Sequence, residues 1–275
     1  MDLFSAVVLG VVEGVTEFLP VSSTGHLTIA EKLLGLRVND DSVTAFTAVI
    51  QVGAIIAVIV YFARDIGRIV TAWAVGLVKP EVRGTFDHRF GWYVIVGTIP
   101  ILIAGLLGKN LVTGPLRNLW WVAGALIVWS AVMVMAERVG TRDRGERQVT
   151  MLDALTIGVV QCIALVPGVS RSGATISAGL FRGLDRVTAT RMSFFLSIPA
   201  LVAAGLYELP TALKGGIGVA PTLLATVISF VVAYAAVAWF LRFVAGHSIT
   251  VFVWYRLALG VVLIGLLASG ALSAT

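Results

Sequence analysis

The chain has 275 residues, of which 58% are hydrophobic and only 13% charged, and its mean hydropathy is +0.97. Soluble domains carry about 25% charged residues, so this composition excludes an ordinary soluble protein, and because every apolar stretch reads as a helix it favours a membrane helix bundle over a barrel. The net charge of +5 fits the Lys/Arg bias of cytoplasmic loops; the bilayer is the expected partner and nucleic acid is not.

Taken in order, the first apolar segment, residues 3–19, holds Glu13 and Glu17. At about 25 Å it is short of a roughly 30 Å hydrocarbon core. Pro20 is expected to stop this helix, because it has no N–H to donate. Ser22, Ser23 and Thr24 then supply good N-cap residues, with Gly25 beside them and His26 in the first turn of a return helix over 24–34. Residues 3–34 therefore read as a re-entrant hairpin. The start, MDLF, lacks the basic segment of a cleavable leader, so this apolar stretch is expected to be kept. Clean spans follow at 44–62, 91–107 and 119–136, with 63–90 read as a basic loop. Residues 137–150 form a charged linker with four arginines. A second broken hairpin, 152–180, precedes spans at 191–207, 219–243 and 250–270. The lone Cys162 rules out an internal disulfide.

The two halves resemble each other. Residues 10–26 fall on 158–174 with six identities, at Gly10, Val11, Val12, Val21, Ser22 and Gly25, and Glu13 falls on Gln161. The chain reads as one membrane domain of all-α class. It has about six transmembrane helices and two re-entrant hairpins in an inverted-topology repeat, with repeat 1 over 1–136 and repeat 2 over 151–275. Loops 63–90, 137–150 and 181–191, with Arg242, hold 13 of the 20 Lys and Arg residues. Placed inside, they put both termini outside, leaving Lys32, Arg37, Lys109, Arg117 and Lys214 on the outer face.

The second hairpin carries PGVSRSGAT at 167–175. A helix N-terminus rich in Ser and Gly binds anions, and an arginine adds a fork that matches phosphate oxygens. Brought together, the hairpins would assemble Arg171, two helix N-termini, Ser23, His26, Glu13 and Glu17. That set suits phosphoryl chemistry: a serine to attack phosphorus, a histidine or carboxylate to move the proton, and carboxylates that suit Mg²⁺ or Ca²⁺. Ionisable groups within an apolar run are costly and usually functional. Arg256, in VWYRLALG, has no polar neighbours in sequence and is expected to pair structurally with a carbonyl or carboxylate. Gln51 and Asp153 are candidates to support the site's residues. Trp120 and Trp121 read as interface anchors.

EGVTEFLPVSSTGH at 13–26 and PGVSRSGAT at 167–175 resemble the two signature motifs of the bacterial undecaprenyl-diphosphate phosphatase family, the bacitracin-resistance (BacA/UppP) type. The resemblance implies a multi-pass enzyme of the bacterial cytoplasmic (inner) membrane with an outward-facing site, releasing phosphate from a C55 isoprenoid diphosphate to regenerate the lipid carrier for peptidoglycan synthesis. It implies Glu13 and Glu17 as the divalent-metal residues (Mg²⁺ or Ca²⁺) and Glu17, Ser23, His26 and Arg171 as catalytic, with either Ser23 or His26 as nucleophile. It further implies Ser22, Thr24, Gly25, Ser170, Arg171, Ser172, Gly173 and Thr175 as diphosphate-binding. A homodimer is a candidate assembly. The alternative reading is a polyprenyl-phosphate transporter without chemistry, since inverted repeats of broken helices also build transporters.

Overall fold

The computed structural model describes all residues except 37–39, 114, 115, 117, 215–217 and 275. Arg37 and Arg117 lie outside the described residues, as do the side chains of Lys109 and Lys214, so the outer-face charges are represented here by Lys32 alone. Eleven α-helices are described: α1 (Leu3–Thr16), α2 (Ser23–Leu33), α3 (Asp41–Tyr61), α4 (Ala63–Val78), α5 (Phe86–Thr113), α6 (Leu119–Val139), α7 (Met151–Gln161), α8 (Arg171–Phe181), α9 (Arg186–Lys214), α10 (Val219–Gly246) and α11 (Thr250–Ala268). Six of them, α3, α5, α6, α9, α10 and α11, are long and apolar enough to cross a membrane. The short apolar helices α1 and α7 are not. The architecture is an all-α integral membrane fold.

Two expectations are corrected. Helix α1 ends at Thr16, four residues before Pro20. Pro20 cannot donate to the Thr16 carbonyl and disfavours helix at Leu19, so the break starts a turn earlier than the proline itself. Residues 63–90 are not a loop: most of the segment is α4, which lies along α5. Its arginines gave it a loop's composition, but Ile66, Ile69 and Trp73 recur at helical spacing and fix an amphipathic helix.

A common register runs through the two broken hairpins. Asp2 caps α1 through Ser5 N, and Thr150 caps α7 through Asp153 N. Helix α2 begins at Ser23 and ends at Leu33; α8 begins and ends 148 residues later, at Arg171 and Phe181. The caps correspond as well. Ser22 and Ser170 both have positive φ, 78° and 76°, and both accept from the glycine N–H three residues on. Such φ values cost a non-glycine residue roughly 1–3 kcal/mol, and the cap bonds are what hold them.

Close approaches seat both entry helices. A Cβ at Gly10 would lie 2.7 Å from the Ala225 carbonyl of α10, and one at Gly158 would lie 2.0 Å from the Gly97 carbonyl of α5. Without a hydrophobic drive between helices in lipid, small residues that let backbones touch supply the packing.

The charged linker is tied down by ion pairs. Asp153 accepts from Arg182 Nε at 2.8 Å and from Arg144 at 2.5 Å; Glu137 accepts from Arg186 and Arg142, each at 2.9 Å. Asp153 therefore closes the linker end of the second hairpin and stands apart from the site it was expected to support. Asp153→Asn removes the counter-charge that two guanidinium groups share and should lower stability by about 3 kcal/mol, read as a lowered thermal midpoint in detergent; an unchanged midpoint would show that the cluster is not a structural tie.

Candidate active site

The two turns meet inside the bundle. Ser22 Oγ accepts from Gly168 N at 3.1 Å, and Ser172 Oγ donates to the Leu19 carbonyl at 2.8 Å. Each bond crosses from one hairpin to the other. Gly168 has φ +100°, and a Cβ there would meet the Val122 carbonyl at 2.4 Å, so only glycine fits at this crossing.

Glu17, just past the end of α1 and 5% exposed, is the hub. Ser23 Oγ donates to its Oε2 at 2.6 Å, and Arg171 Nη2 donates to its Oε1 at 2.9 Å. The Arg171 guanidinium also lies over the Phe18 ring, 5.8 Å from its centroid. Its Nη1 is buried and has no hydrogen-bond partner, and neither has Glu13 Oε1. Buried polar atoms are rarely left so, and Arg171 lines the cavity that opens here.

A cavity of about 150 Å³ opens on this group, lined by Glu17, Ser22, Ser23, Thr24, Gln51, Ser170 and Arg171 together with Ala164, Pro167 and Leu201. Pockets for drug-sized ligands run to roughly 300–1,000 Å³, so this one is the size of a small polar head group. Gln51, from α3, is the one polar lining residue that lies outside both hairpins.

The structure divides the sequence-predicted residues. Glu17, Ser22, Ser23, Thr24, Ser170 and Arg171 line the cavity. Gly25, Ser172, Gly173 and Thr175 are buried behind it. The two glycines make room for the capping serines: a Cβ on Gly25 would sit 3.3 Å from Ser22 Oγ, and one on Gly173 would sit 3.4 Å from Ser170 Oγ. Thr175 Oγ1 bonds the Arg171 carbonyl at 2.8 Å and Ser193 Oγ at 2.7 Å, supporting the arginine from behind. Glu13 lies one helical turn before Glu17, 1% exposed.

His26 faces elsewhere. Its Nδ1 meets the Ser22 carbonyl at 2.7 Å, and its Nε2 meets the Tyr255 hydroxyl of α11 at 2.6 Å. A carbonyl only accepts, so Nδ1 carries a proton and donates it there, leaving Nε2 to the Tyr255 hydroxyl. The group in contact with the Ser23 hydroxyl is Glu17. Tyr255 was invisible to sequence reasoning, because it lies 229 residues from its partner.

For a divalent cation the donor set is small. No three of His, Cys, Asp and Glu come together among the described residues. Mg²⁺ is commonly held by one or two carboxylates plus substrate phosphates. The unpartnered Glu13 Oε1 and the neighbouring Glu17 fit that arrangement for an ion shared with a bound phosphate.

Fold and site together define a multi-pass membrane protein that brings a serine, a carboxylate and an arginine together at one small cavity. The chain belongs to the family described as bacitracin resistance protein BacA, whose sequence profile matches residues 6–262. It is similar to undecaprenyl-diphosphatase 3 of Frankia casuarinae, 56% identical over 278 residues and the whole of both chains. It is also similar to undecaprenyl-diphosphatase 1 of Streptomyces coelicolor, 59% identical over 99% of this chain and 98% of that one. The undecaprenyl-diphosphatase of Mycobacterium sp. strain KMS is 54% identical over the full length of both. With its six apolar helices, the chain is a multi-pass protein of the bacterial cytoplasmic membrane.

Tyr255→Phe removes one hydrogen bond from His26, worth about 1 kcal/mol, and should slow turnover by less than about tenfold. A loss as large as that of Glu17→Gln, measured on the same preparation, would place Tyr255 and His26 in the chemistry itself.

Proposed function

We propose that this protein hydrolyses undecaprenyl diphosphate to undecaprenyl phosphate and inorganic phosphate, returning the lipid carrier to peptidoglycan synthesis and raising bacitracin resistance. The observation that carries this reading is the Ser23–Glu17–Arg171 chain of hydrogen bonds at the mouth of a cavity of head-group size. The names of the relatives support it. The Lys and Arg distribution supports an outward-facing site, and the cavity's small size supports a reading in which the isoprenoid tail lies outside it, between spans.

In the proposed reaction Ser23 Oγ attacks the terminal phosphorus in line with the bridging oxygen. Glu17 takes the hydroxyl proton, the phosphorus–bridging-oxygen bond breaks, and undecaprenyl phosphate leaves. Glu17 gives that proton to the departing undecaprenyl phosphate. Water then attacks the phosphoserine, Glu17 takes the water's proton and returns it to Ser23 Oγ as the phosphorus–Oγ bond breaks, and inorganic phosphate is released. Arg171 Nη1, the N–H groups at the start of α2 and α8, and Gln51 are the donors available to the equatorial oxygens, where phosphoryl transfer concentrates its charge. A divalent cation held by Glu13 and Glu17 would neutralise charge on the diphosphate.

A transporter needs Arg171 and the helix N-termini but has no use for a serine hydroxyl bonded to a carboxylate. The hydroxyl's 2.6 Å bond to Glu17 therefore favours the enzyme.

The purified protein should release phosphate from undecaprenyl diphosphate when Mg²⁺ or Ca²⁺ is present and stop with a chelator. Ser23→Ala, Glu17→Gln and Arg171→Lys should each slow release at least about a hundredfold, the scale of removing one key group. Full activity in all three would end the assignment. Glu13→Gln should raise the half-saturating cation concentration about tenfold; an unchanged requirement would remove Glu13 from the metal site.

A further inference from the structure

We infer that Arg256 is a positioning residue for this reaction: from α11 it holds both hairpin turns at once and so sets the distance between Ser23 and Arg171. The inference rests on the phosphatase reading above.

Among the described residues Arg256 is one of the largest side chains with no exposure to solvent. Its Nη1 donates to the Pro20 carbonyl at 3.1 Å, and its Nη2 donates to the Gly168 carbonyl at 2.9 Å and the Leu126 carbonyl at 3.3 Å. Its Nε donates to Ser130 Oγ at 3.1 Å. Pro20 and Gly168 are corresponding positions in the two turns, two residues ahead of the capping Ser22 and Ser170.

Every oxygen that Arg256 binds is uncharged. A cation buried in an apolar interior costs several kcal/mol, and the ion-pair clusters at the linker show how this chain otherwise arranges its arginines. What the guanidinium gives here is a planar fork whose N–H groups reach two separate turns and one helix together. The turn carbonyls have left the helical ladder, and the membrane interior offers no bulk water to satisfy them.

The consequence follows from chain geometry. Pro20 lies between Glu17 and Ser23; Gly168 lies three residues before Arg171. Fixing both carbonyls to one rigid group fixes the serine–carboxylate pair relative to the arginine that must meet the same phosphate. Arg256 does not line the cavity, so it acts through those residues. In-line transfer is sensitive to placement, and a misplacement of about 1 Å can cost a hundredfold.

The test uses full-length protein carrying R256K, which keeps the charge and loses the fork, and R256M, which loses both, with R171K and the R171K/R256K double variant. For each, kcat, KM and the thermal midpoint are measured on undecaprenyl diphosphate. In R256K we expect kcat to fall at least about thirtyfold with KM within about threefold. In the R171K background, where the alignment is already lost, adding R256K should cost less than about threefold more. A kcat within threefold of wild type in R256K or R256M overturns the inference. So does a loss that multiplies fully with that of R171K, the pattern of general destabilisation. If the Arg256 variants do not fold, Ser130→Ala, which removes the Nε anchor and the Ser130 bond to the Leu126 carbonyl but keeps the guanidinium, should lower kcat about threefold to tenfold at constant KM; an unchanged kcat there overturns it. Wild-type protein that releases no phosphate would instead overturn the phosphatase reading.

Discussion

Two turns of backbone inside an apolar bundle have polar groups that no helix ladder satisfies, and the rest of the structure is built around satisfying them. Ser22 Oγ takes the N–H of Gly25 in its own hairpin and of Gly168 in the other. Ser170 caps α8 in the same way, and Ser172 reaches back to the Leu19 carbonyl. Arg256 takes the carbonyls of Pro20 and Gly168. Each bond is needed because a buried unpaired backbone group costs about as much as a lost hydrogen bond. Because Ser22 and Ser172 each bond across to the opposite hairpin and Arg256 bonds both, satisfying one turn also docks it on the other.

That docking places chemistry where the helices break. Broken helices in a membrane are tolerated only when buried in protein or facing a wet cavity, and here the same break exposes two helix N-termini to a small polar space. Glu17 stands between Ser23 and Arg171 and binds both. In the proposed reaction the serine therefore has its proton acceptor, and the arginine its counter-charge, before any substrate arrives, and one guanidinium nitrogen is left over. Such arrangement in advance is what low-dielectric sites use to stabilise developing charge. The cavity's size fits the proposed substrate's head group, and the proposal leaves its apolar remainder in a solvent it already matches.

Much of this was legible in the sequence because the breaks are written in residue types with few other uses. Pro20 and Pro167, each followed by Ser and Gly, mark the turns, and carboxylates or an arginine in apolar surroundings mark the site. Glu17 and Ser23 are six residues apart, so one turn suffices to join them. The Arg256 expectation of a carbonyl partner holds, but which carbonyls depends on tertiary packing across more than 200 residues. The same is true of His26, whose partner on α11 turns it away from the cavity. Ser172, Gly173 and Thr175 match a motif that reads as ligand-binding, yet their atoms are spent on caps and crossings; a pattern of residue types does not say which way a hydroxyl points. Helix α4 was missed because charge density outweighed periodicity.

The most direct test of the central idea, that Ser23 and Glu17 act as nucleophile and base, is to trap the enzyme during turnover. Protein mixed with undecaprenyl diphosphate and quenched within milliseconds, at acid and at alkaline pH, would be digested and its phosphopeptides mapped by mass spectrometry. The account predicts an acid-stable phosphoryl group on Ser23 that accumulates before steady state. A phosphoryl group on His26, stable only in alkali, or the absence of any covalent species while phosphate is being released, would contradict it.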